Sequence, residues 1–170
     1  MKYLFRVTAI LFLFCSCLLA TPAIAASSTS VTPSAFSEFS PEELRNKDFA
    51  GKVLQSVDFA KVDLEEADFS KSDIRGAVFN ASNLAKANLK GADFSYGFAY
   101  LTNFDGADLT NSIFQETILS FSTFKDAKID GADFSLAVLE KWQVKQLCAD
   151  AKGVNPKTGV ETRDSLGCPS

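Results

Sequence analysis

The stretch ADFSKSDIRGAVFNASNLAKANLKGADF, residues 67–94, carries a large apolar residue at every fifth position. Two positions before each of these residues stands Ala or Ser, and further along the chain also Thr or Gly. The spacing continues in both directions without an insertion, and Ala99 is the one small residue that keeps the phase. The nineteen residues in phase are Phe49, Leu54, Phe59, Leu64, Phe69, Ile74, Phe79, Leu84, Leu89, Phe94, Ala99, Phe104, Leu109, Phe114, Leu119, Phe124, Ile129, Phe134 and Leu139.

A period of five matches neither common element, because a helix repeats its apolar side chains at three and four and a strand at two. A large residue and a small one two positions earlier point the same way along a short extended segment. The three remaining positions must then turn a corner and face water. Four such sides predict a closed square coil of about 20 residues, with successive coils stacked about 4.8 Å apart. The backbone of each coil would pair with the coils above and below it.

The tandem units ADFSK, ANLKG, ADLTN and ADFSL resemble those of the pentapeptide-repeat family, over residues 47–141. The resemblance implies an all-β solenoid, the right-handed quadrilateral β-helix of that family, with Phe and Leu stacked along its axis. Nineteen units at four per coil give nearly five coils, a height of about 23 Å. We expect short helical caps at both ends, because an exposed terminal coil invites edge pairing.

The first part of the chain, residues 1–25, has the features of a cleaved signal peptide. Lys2 and Arg6 precede the apolar run ILFLFCSCLLA, and a small-x-small cleavage site stands at residues 23–25. We therefore predict an exported chain with no stable membrane insertion after signal removal. A lipoprotein reading through Cys17 is the alternative, but the residues before this cysteine are a poor lipobox.

The two ends of the repeat carry signals for caps. Ser40-Pro41-Glu42-Glu43 matches a helix N-terminus, and a Ser/Thr-rich, flexible segment with Phe36 and Phe39 precedes it. In LEKWQVKQLCADA the apolar residues predict a helix, with Trp142 packed as a lid on the last coil. The predicted division is a cleaved signal peptide at 1–25, a flexible segment with a short capping helix at 26–46, the repeat at 47–141, and a C-terminal helix and disulfide-closed tail at 142–170.

Composition excludes several classes of site. The chain has no histidine, which excludes a Ser-His-Asp triad and the usual zinc sites. Loss of Lys2 and Arg6 with the signal peptide takes the formal charge from −4 to −6, so a nucleic-acid binder is not expected. Cys148 and Cys168 then remain, and two cysteines in an exported chain most simply form one disulfide. The tail also resembles that of thylakoid-lumen and cyanobacterial members of the family, which implies a thylakoid lumen or a periplasm as the location.

With 20 residues per coil, outward positions 20 apart form columns. Three of the columns just before the in-phase residues are polar or mixed, and the fourth becomes apolar after Asp58. Patches of this kind mark contact surfaces, although the protein's own N-terminal segment or C-terminal tail could cover this one. Ala99 leaves a gap in the interior of the same region, which Tyr96 or Tyr100 is predicted to cover. The candidate contact surface, called the apolar face below, comprises Val78, Phe98, Tyr100, Leu101, Ile118, Phe121 and Val138.

Catalysis is not expected, because the acidic residues recur singly and are interpreted as a solvated surface. We predict no cofactor and no metal, since phosphate-binding loops and metal-ligand spacings are absent. The sequence favours a non-enzymatic scaffold or interaction module that binds an unknown protein partner or contacts itself. Two alternatives remain open. One is a DNA-mimicking protein that interacts with gyrase, which the export signal disfavours; the other is a redox-responsive protein that acts through its disulfide.

Overall fold

The structure, a computed structural model, describes residues 44–169. Its main part is a four-sided coil in which each bridging position pairs in parallel with the position 20 residues later. Asp48 pairs with Asp68, Asp68 with Asn88, and so on until Ile118 pairs with Val138. The predicted length of 20 residues per coil is therefore confirmed. Among the described residues the pairing occurs as isolated bridges, because every side of the coil is too short for a longer strand.

Backbone hydrogen bonds connect each side to both neighbouring coils. The N–H of Phe49 donates to the carbonyl of Asp68 at 2.7 Å, and the N–H of Asp68 donates back to the carbonyl of Lys47 at 2.9 Å. The same two bonds recur along the coil, as in the bond from Phe98 to the carbonyl of Ala77 at 2.9 Å. The coil thus satisfies its polar backbone around an interior of buried apolar side chains.

Every fifth residue forms a corner in the left-handed conformation, with φ between 53° and 70° from Asn46 to Leu136. At most corners the next residue donates to the carbonyl three positions back, as Lys52 does to Phe49 at 3.2 Å, whereas Val62 and Thr102 donate to the hydroxyls of Ser82 and Ser122. A hydrogen-bonded turn with positive φ at its third residue has the geometry of a type II turn. Glycine fills only five of these corners, so at the others an L-residue accepts a steric cost of about 1 kcal/mol.

The in-phase residues from Phe49 to Phe134 are all buried, none more than 4% exposed. Rings one coil apart stack face to face, as Phe49 does on Phe69 at 4.7 Å between ring centroids. The Ser and Thr residues that stand two positions before an in-phase residue are buried with their hydrogen bonds satisfied. Their hydroxyls donate to backbone carbonyls of the in-phase residues. Thr102 donates to the carbonyl of Phe79 at 2.7 Å in this way. The phase holds through Ala99, which is fully buried.

The gap at Ala99 is filled by Phe94, and the prediction that Tyr96 or Tyr100 covers it is wrong. The two tyrosines are 58% and 43% exposed. The Phe94 ring stands at 87° to that of Phe114 instead of stacking on it, and it packs on Phe79 at 5.2 Å. In this orientation it occupies the space that a Cβ at Gly97 would need. A ring from the neighbouring side replaces the missing side chain because the small position before Ala99 is a glycine.

Helix α1, Lys141–Asp150, closes the C-terminal end of the coil. The Nε2 of its buried residue Gln143 donates to the carbonyls of Leu119 and Ser122, both at 2.8 Å. In the coil, the carbonyl of Thr102 accepts from Thr123, 21 residues later. A further coil would therefore bring the backbone N–H of residue 143 to Ser122. The Gln143 amide supplies that donor from the helix, while its Oε1 accepts the N–H of Glu140 at 2.6 Å.

The prediction that Trp142 packs on the last coil is wrong, since its side chain is 48% exposed. Gln143 and Leu147 are the buried residues of α1. They lie four positions apart and share one helical face, whereas Trp142 is turned away from it by about 100°. The short helix α2, Thr162–Ser165, follows α1 in the tail.

The described part of the chain contains no helix long and apolar enough to cross a bilayer. The predicted signal peptide, the predicted helix start at residues 40–43, and the aromatic residues Phe36 and Phe39 lie outside the described residues.

We predict that Gly97→Ala lowers the free energy of unfolding by about 2 kcal/mol, because the added methyl group overlaps the Phe94 ring. Urea unfolding measures this. Adding Phe94→Leu should recover part of the loss in a double-mutant cycle. Gly51→Asn is the matched control, since a Cβ there meets nothing within 4 Å and Asn tolerates positive φ. An unchanged urea midpoint for Gly97→Ala would contradict the proposed packing.

Candidate functional site

The outward surface of the coil has four faces, which the bridges define as columns. The predicted columns are confirmed by these pairings. In chain order, face 1 carries Asp48, Asp68, Asn88, Asp108 and Lys128; face 2 carries Val53, Asp73, Asp93, Ile113 and Asp133; face 3 carries Asp58, Val78, Phe98, Ile118 and Val138; and face 4 carries Asp63, Asn83, Asn103 and Thr123.

The Asp and Asn residues of these columns hold the corners, a role that the sequence analysis missed. Asp48 accepts the N–H of Ala50 at 2.9 Å, and Asp68 accepts that of Ser70 at 2.7 Å. The same Asx turn recurs at other Asp and Asn residues of the columns, including Asn103. The signal for this role was present, because an Asp or Asn two residues before a turn amide is a common turn initiator.

Face 4 adds a ladder of side chains between coils. Asn103 donates to Asn83 at 3.0 Å, and Asn83 donates to Asp63 at 2.9 Å. Arg45 pairs with Asp63 at 2.6 Å and with Glu65 at 2.7 Å. These exposed pairs contribute little each. Together with the ladder, they provide the polar side chains of face 4 with hydrogen-bond partners from the chain itself.

The apolar face occupies most of face 3 and the corner after it. Val78, Phe98 and Ile118 follow one another in the bridge column, and Val138 ends it. Tyr100 meets Phe121 edge to face at 5.7 Å between ring centroids. With all described residues in place, five of its members remain between 43% and 54% exposed: Phe98, Tyr100, Leu101, Phe121 and Val138. The structure thus brings together the residues that the column analysis predicted, on one side of the coil.

The corner before face 3 extends this surface with Tyr96 and Leu136. They are 58% and 79% exposed, and both have positive φ. Leu136 is not among the predicted residues of the apolar face, because the prediction used only the corner after each column residue.

The C-terminal tail covers face 2 and not the apolar face. Asn155 is fully buried, and its Nδ2 donates to the carbonyls of Ser112 at 3.0 Å and Gly131 at 2.9 Å. Under the tail Ile113 is 6% exposed, whereas Val53 in the same column is 43% exposed. The predicted alternative in which the tail covers the apolar face is therefore wrong. The other alternative involves the N-terminal segment, outside the described residues.

Close backbone approach lets the tail lie flat on the last coil. The N–H of Gly131 donates to the carbonyl of Lys152 at 2.9 Å. A Cβ at Gly153 would stand 2.9 Å from the nitrogen of Gly131, and the φ of Gly153 is +83°. The Ser165 hydroxyl accepts the N–H of Phe134 at 3.0 Å, which a further coil would otherwise satisfy. The tail therefore completes the hydrogen bonding of the last coil.

The disulfide between Cys148 and Cys168 ties α1 to the end of the tail, with the Cα atoms 5.6 Å apart. The pairing expected from the cysteine count and from the resemblance of the tail is confirmed. The Arg163 side chain stabilises the region around the disulfide by donating to the carbonyls of Cys148 at 3.2 Å and Pro169 at 2.9 Å.

Asp133, on face 2 under the tail, is the buried carboxylate of the surface columns. Burial disfavours its ionised form, but hydrogen bonds from Ser135, Thr158 and Gln115 hold the pKa of Asp133 below its ordinary value. Gln115 donates to it at 2.9 Å and the Ser135 hydroxyl at 2.6 Å. All of these partners belong to the coil or its tail, so this carboxylate has a structural role.

The described residues contain no group of three or more metal-ligating side chains. The interior is filled by the in-phase side chains, and the clefts lie at the surface. One, of about 350 Å³, lies between the end of α1 and the last side of face 1, lined by Asp126, Lys128, Asp130, Asp150 and Lys152. Two lysines stand among its three acids, and Lys152 pairs with Asp130 at 3.5 Å.

A four-sided solenoid of tandem five-residue units, closed by a helix and a disulfide-linked tail, defines the class of the protein. The family model for pentapeptide repeats matches residues 63–95 and 102–140, in eight copies. A solved structure of a pentapeptide repeat protein from the thylakoid lumen of Arabidopsis thaliana is 33% identical, with a TM-score of 0.60, over 78% of this chain and 96% of that one. The chain belongs to the pentapeptide-repeat family.

Two further relatives extend the comparison. The chain is 62% identical over 42 residues to the thylakoid lumenal protein TL20.3, chloroplastic, of Arabidopsis thaliana, which is 25% of this chain and 15% of the relative. The match therefore spans less than a sixth of the length of that curated relative. A pentapeptide repeat protein of the cyanobacterium Cyanothece 51142 is 19% identical, with a TM-score of 0.53, over 55% of this chain and 64% of that one. This last likeness concerns the fold alone.

We predict that Asn155→Asp destabilises the protein by about 3 kcal/mol at neutral pH. The change keeps an acceptor for the amides of Lys157 and Thr158, but it sets a buried anionic oxygen against the carbonyls of Ser112 and Gly131 in place of a donor. Asn155→Ala should cost about 2 kcal/mol, since the carbonyl of Gly131 and the amides of Lys157 and Thr158 lose their side-chain partner. Urea unfolding with the disulfide intact measures both, and exposed Lys157→Ala is the control. Equal stabilities for all four proteins would contradict the role of Asn155.

We predict that the wild type loses stability below about pH 4 more steeply than Asp133→Asn does. The folded pKa of Asp133 lies below the ordinary value of 3.8. Ionised Asp133 therefore stabilises the fold above that value, and the contribution is lost as the pH falls through the folded pKa. At pH 7 the variant should be less stable by about 1 kcal/mol. Thermal unfolding from pH 7 to pH 2.5 measures the difference; parallel curves would refute it.

Proposed function

We propose that the chain is a non-enzymatic protein-interaction module of the thylakoid lumen, whose apolar face is the contact surface. The observation that carries the proposal is this face, because monomeric proteins rarely leave large contiguous apolar patches exposed. The family consists in general of structural or interaction modules. The Asp residues of the columns bond to corner amides, to neighbouring coils or to the tail, which gives them structural roles.

The location rests on two of the relatives. A lumenal protein shares 62% identity over 42 residues, and a lumenal structure shares the fold over 78% of the chain. We further propose that residues 1–25 are a cleaved export signal and that residues 26–46 form the N-terminal segment and cap. The repeat at 47–141 winds to the right as the family resemblance implies, and 142–170 forms the closing tail. A periplasmic location is the alternative address for the same exported fold.

Replacing Phe98 and Phe121 by Ser tests the proposed contact surface. Both side chains are about half exposed, so the free energy of unfolding should change by less than about 1 kcal/mol. Association, with itself or with lumenal proteins, should weaken at least ten-fold in cross-linking of the tagged chain in lumenal extract. Val53→Ser is the matched control, because Val53 is an equally exposed apolar residue of face 2.

The opposite pattern would overturn the proposal. If the double variant unfolds much earlier but associates as the wild type does, the apolar face is internal packing. If neither property changes, the face has no role in contact.

A further inference from the structure

The residues of the apolar face break two local rules that the rest of the coil follows. In the bridge columns most residues are Asp or Asn, which hold a corner amide, but face 3 carries Val78, Phe98, Ile118 and Val138. None of these side chains can accept the amide. The corners at Leu101 and Phe121 place bulky side chains at φ of 57° and 61°, at a steric cost of about 1 kcal/mol each. Folding alone does not require either choice, which indicates a surface shaped for contact.

The extent of this surface matches one side of a stable protein interface. With Tyr96 and Leu136 included, seven side chains of this surface are between 43% and 79% exposed, while Val78 and Ile118 are half-buried between them. Since a large side chain offers up to roughly 200 Å², the surface exposes on the order of 700 Å². The largest patch on a typical monomer is about 300–600 Å², and a standard interface buries about 800 Å² per partner.

The centre of the surface carries no charge. Phe98, Tyr100 and Leu101 form one level and Ile118, Ser120 and Phe121 the next, with hydroxyls as their only polar side-chain groups. Charged residues stand at the two ends, with Lys61 on the first coil and Lys141 at the start of α1, and at one edge, where Glu116 lies between Tyr96 and Leu136. Two copies of this surface therefore meet without bringing like charges together at their centre.

We propose that the occupant of the apolar face is a second copy of this chain, packed antiparallel in a two-fold symmetric dimer. The inference rests on the proposed function, since it names the partner of the same surface. A two-fold axis between the levels of Phe98 and Ile118 sets these two residues opposite each other across the interface. The same axis sets Val78 opposite the partner's Val138 and Leu101 opposite the partner's Phe121. In such an interface each of these contacts occurs twice.

The antiparallel register also suits the polar edge. It places Tyr96 opposite the partner's Glu116, so that a phenol hydroxyl faces a carboxylate that it can donate to. A parallel arrangement would instead set Glu116 against the partner's Phe121, which would desolvate the carboxylate without a donor. The charges at the edge therefore favour the antiparallel packing.

Sedimentation equilibrium of the full exported chain tests the dimer. The wild type should associate to a dimer with micromolar affinity, and Phe98→Ser with Phe121→Ser should weaken it at least ten-fold. Val53→Ser should dimerise as the wild type does. A wild type that stays monomeric up to about 100 µM overturns the inference.

Cysteine cross-linking tests the register, with the native disulfide left intact. Under mild oxidation, Val78→Cys mixed with Val138→Cys should give a covalent dimer, because the two positions face each other. Each variant alone should give at least ten-fold less. Equal cross-linking of Val78→Cys with itself would indicate parallel packing and overturn the proposed register.

Failure of this inference is distinguishable from failure of the proposed function. If the chain is monomeric but the double serine variant no longer cross-links to a lumenal protein, the inference fails and the contact surface stands. If the chain is monomeric and the double variant unfolds much earlier, residues 26–43 of the chain itself cover the face, and both fail.

Discussion

Backbone pairing between successive coils is the constraint on which the rest of the structure depends. Each side is only a few residues long, so apart from the turn bonds at the corners its amides and carbonyls find their partners in the coils above and below. That pairing requires every corner to turn at the same residue, and the left-handed corner at every fifth position provides this. One inserted residue would shift the interior side chains to the surface. The strict five-residue period of the sequence follows from this requirement for backbone pairing.

The same constraint explains how the solenoid ends. A terminal coil has unpaired groups, and the chain supplies substitutes for the missing coil. The Gln143 amide replaces a backbone donor, and the Ser165 hydroxyl replaces a backbone acceptor. The disulfide between Cys148 and Cys168 then holds the pieces of the cap together. Among the described residues, the tail covers face 2 and not the apolar face because the carbonyls that bind Asn155 belong to Ser112 and Gly131, beside the column of face 2.

The interior could be predicted almost completely from the sequence, and so could the columns of the surface. The failures have specific physical reasons. The Phe94 ring fills the gap at Ala99 because Gly97, three positions later, has no side chain in its way. The five-residue period does not show this packing. Trp142 was predicted to pack on the last coil as one of the apolar residues of the helix, whereas the helical face that meets the coil carries Gln143. The role of the Asp and Asn residues as corner acceptors needed the turn geometry as well as their spacing.

By itself the sequence determined the length of the coil, the identity of its interior residues and the gathering of Val78, Phe98, Ile118 and Val138 on one face. A period of five with one large and one small residue per unit leaves few other closed arrangements, so a local pattern sufficed. The tertiary structure alone decided which face the tail covers. That choice depends on the buried amide of Asn155 and on the close approach of Gly153 to Gly131. Contacts between residues so far apart in the chain leave no period in the sequence.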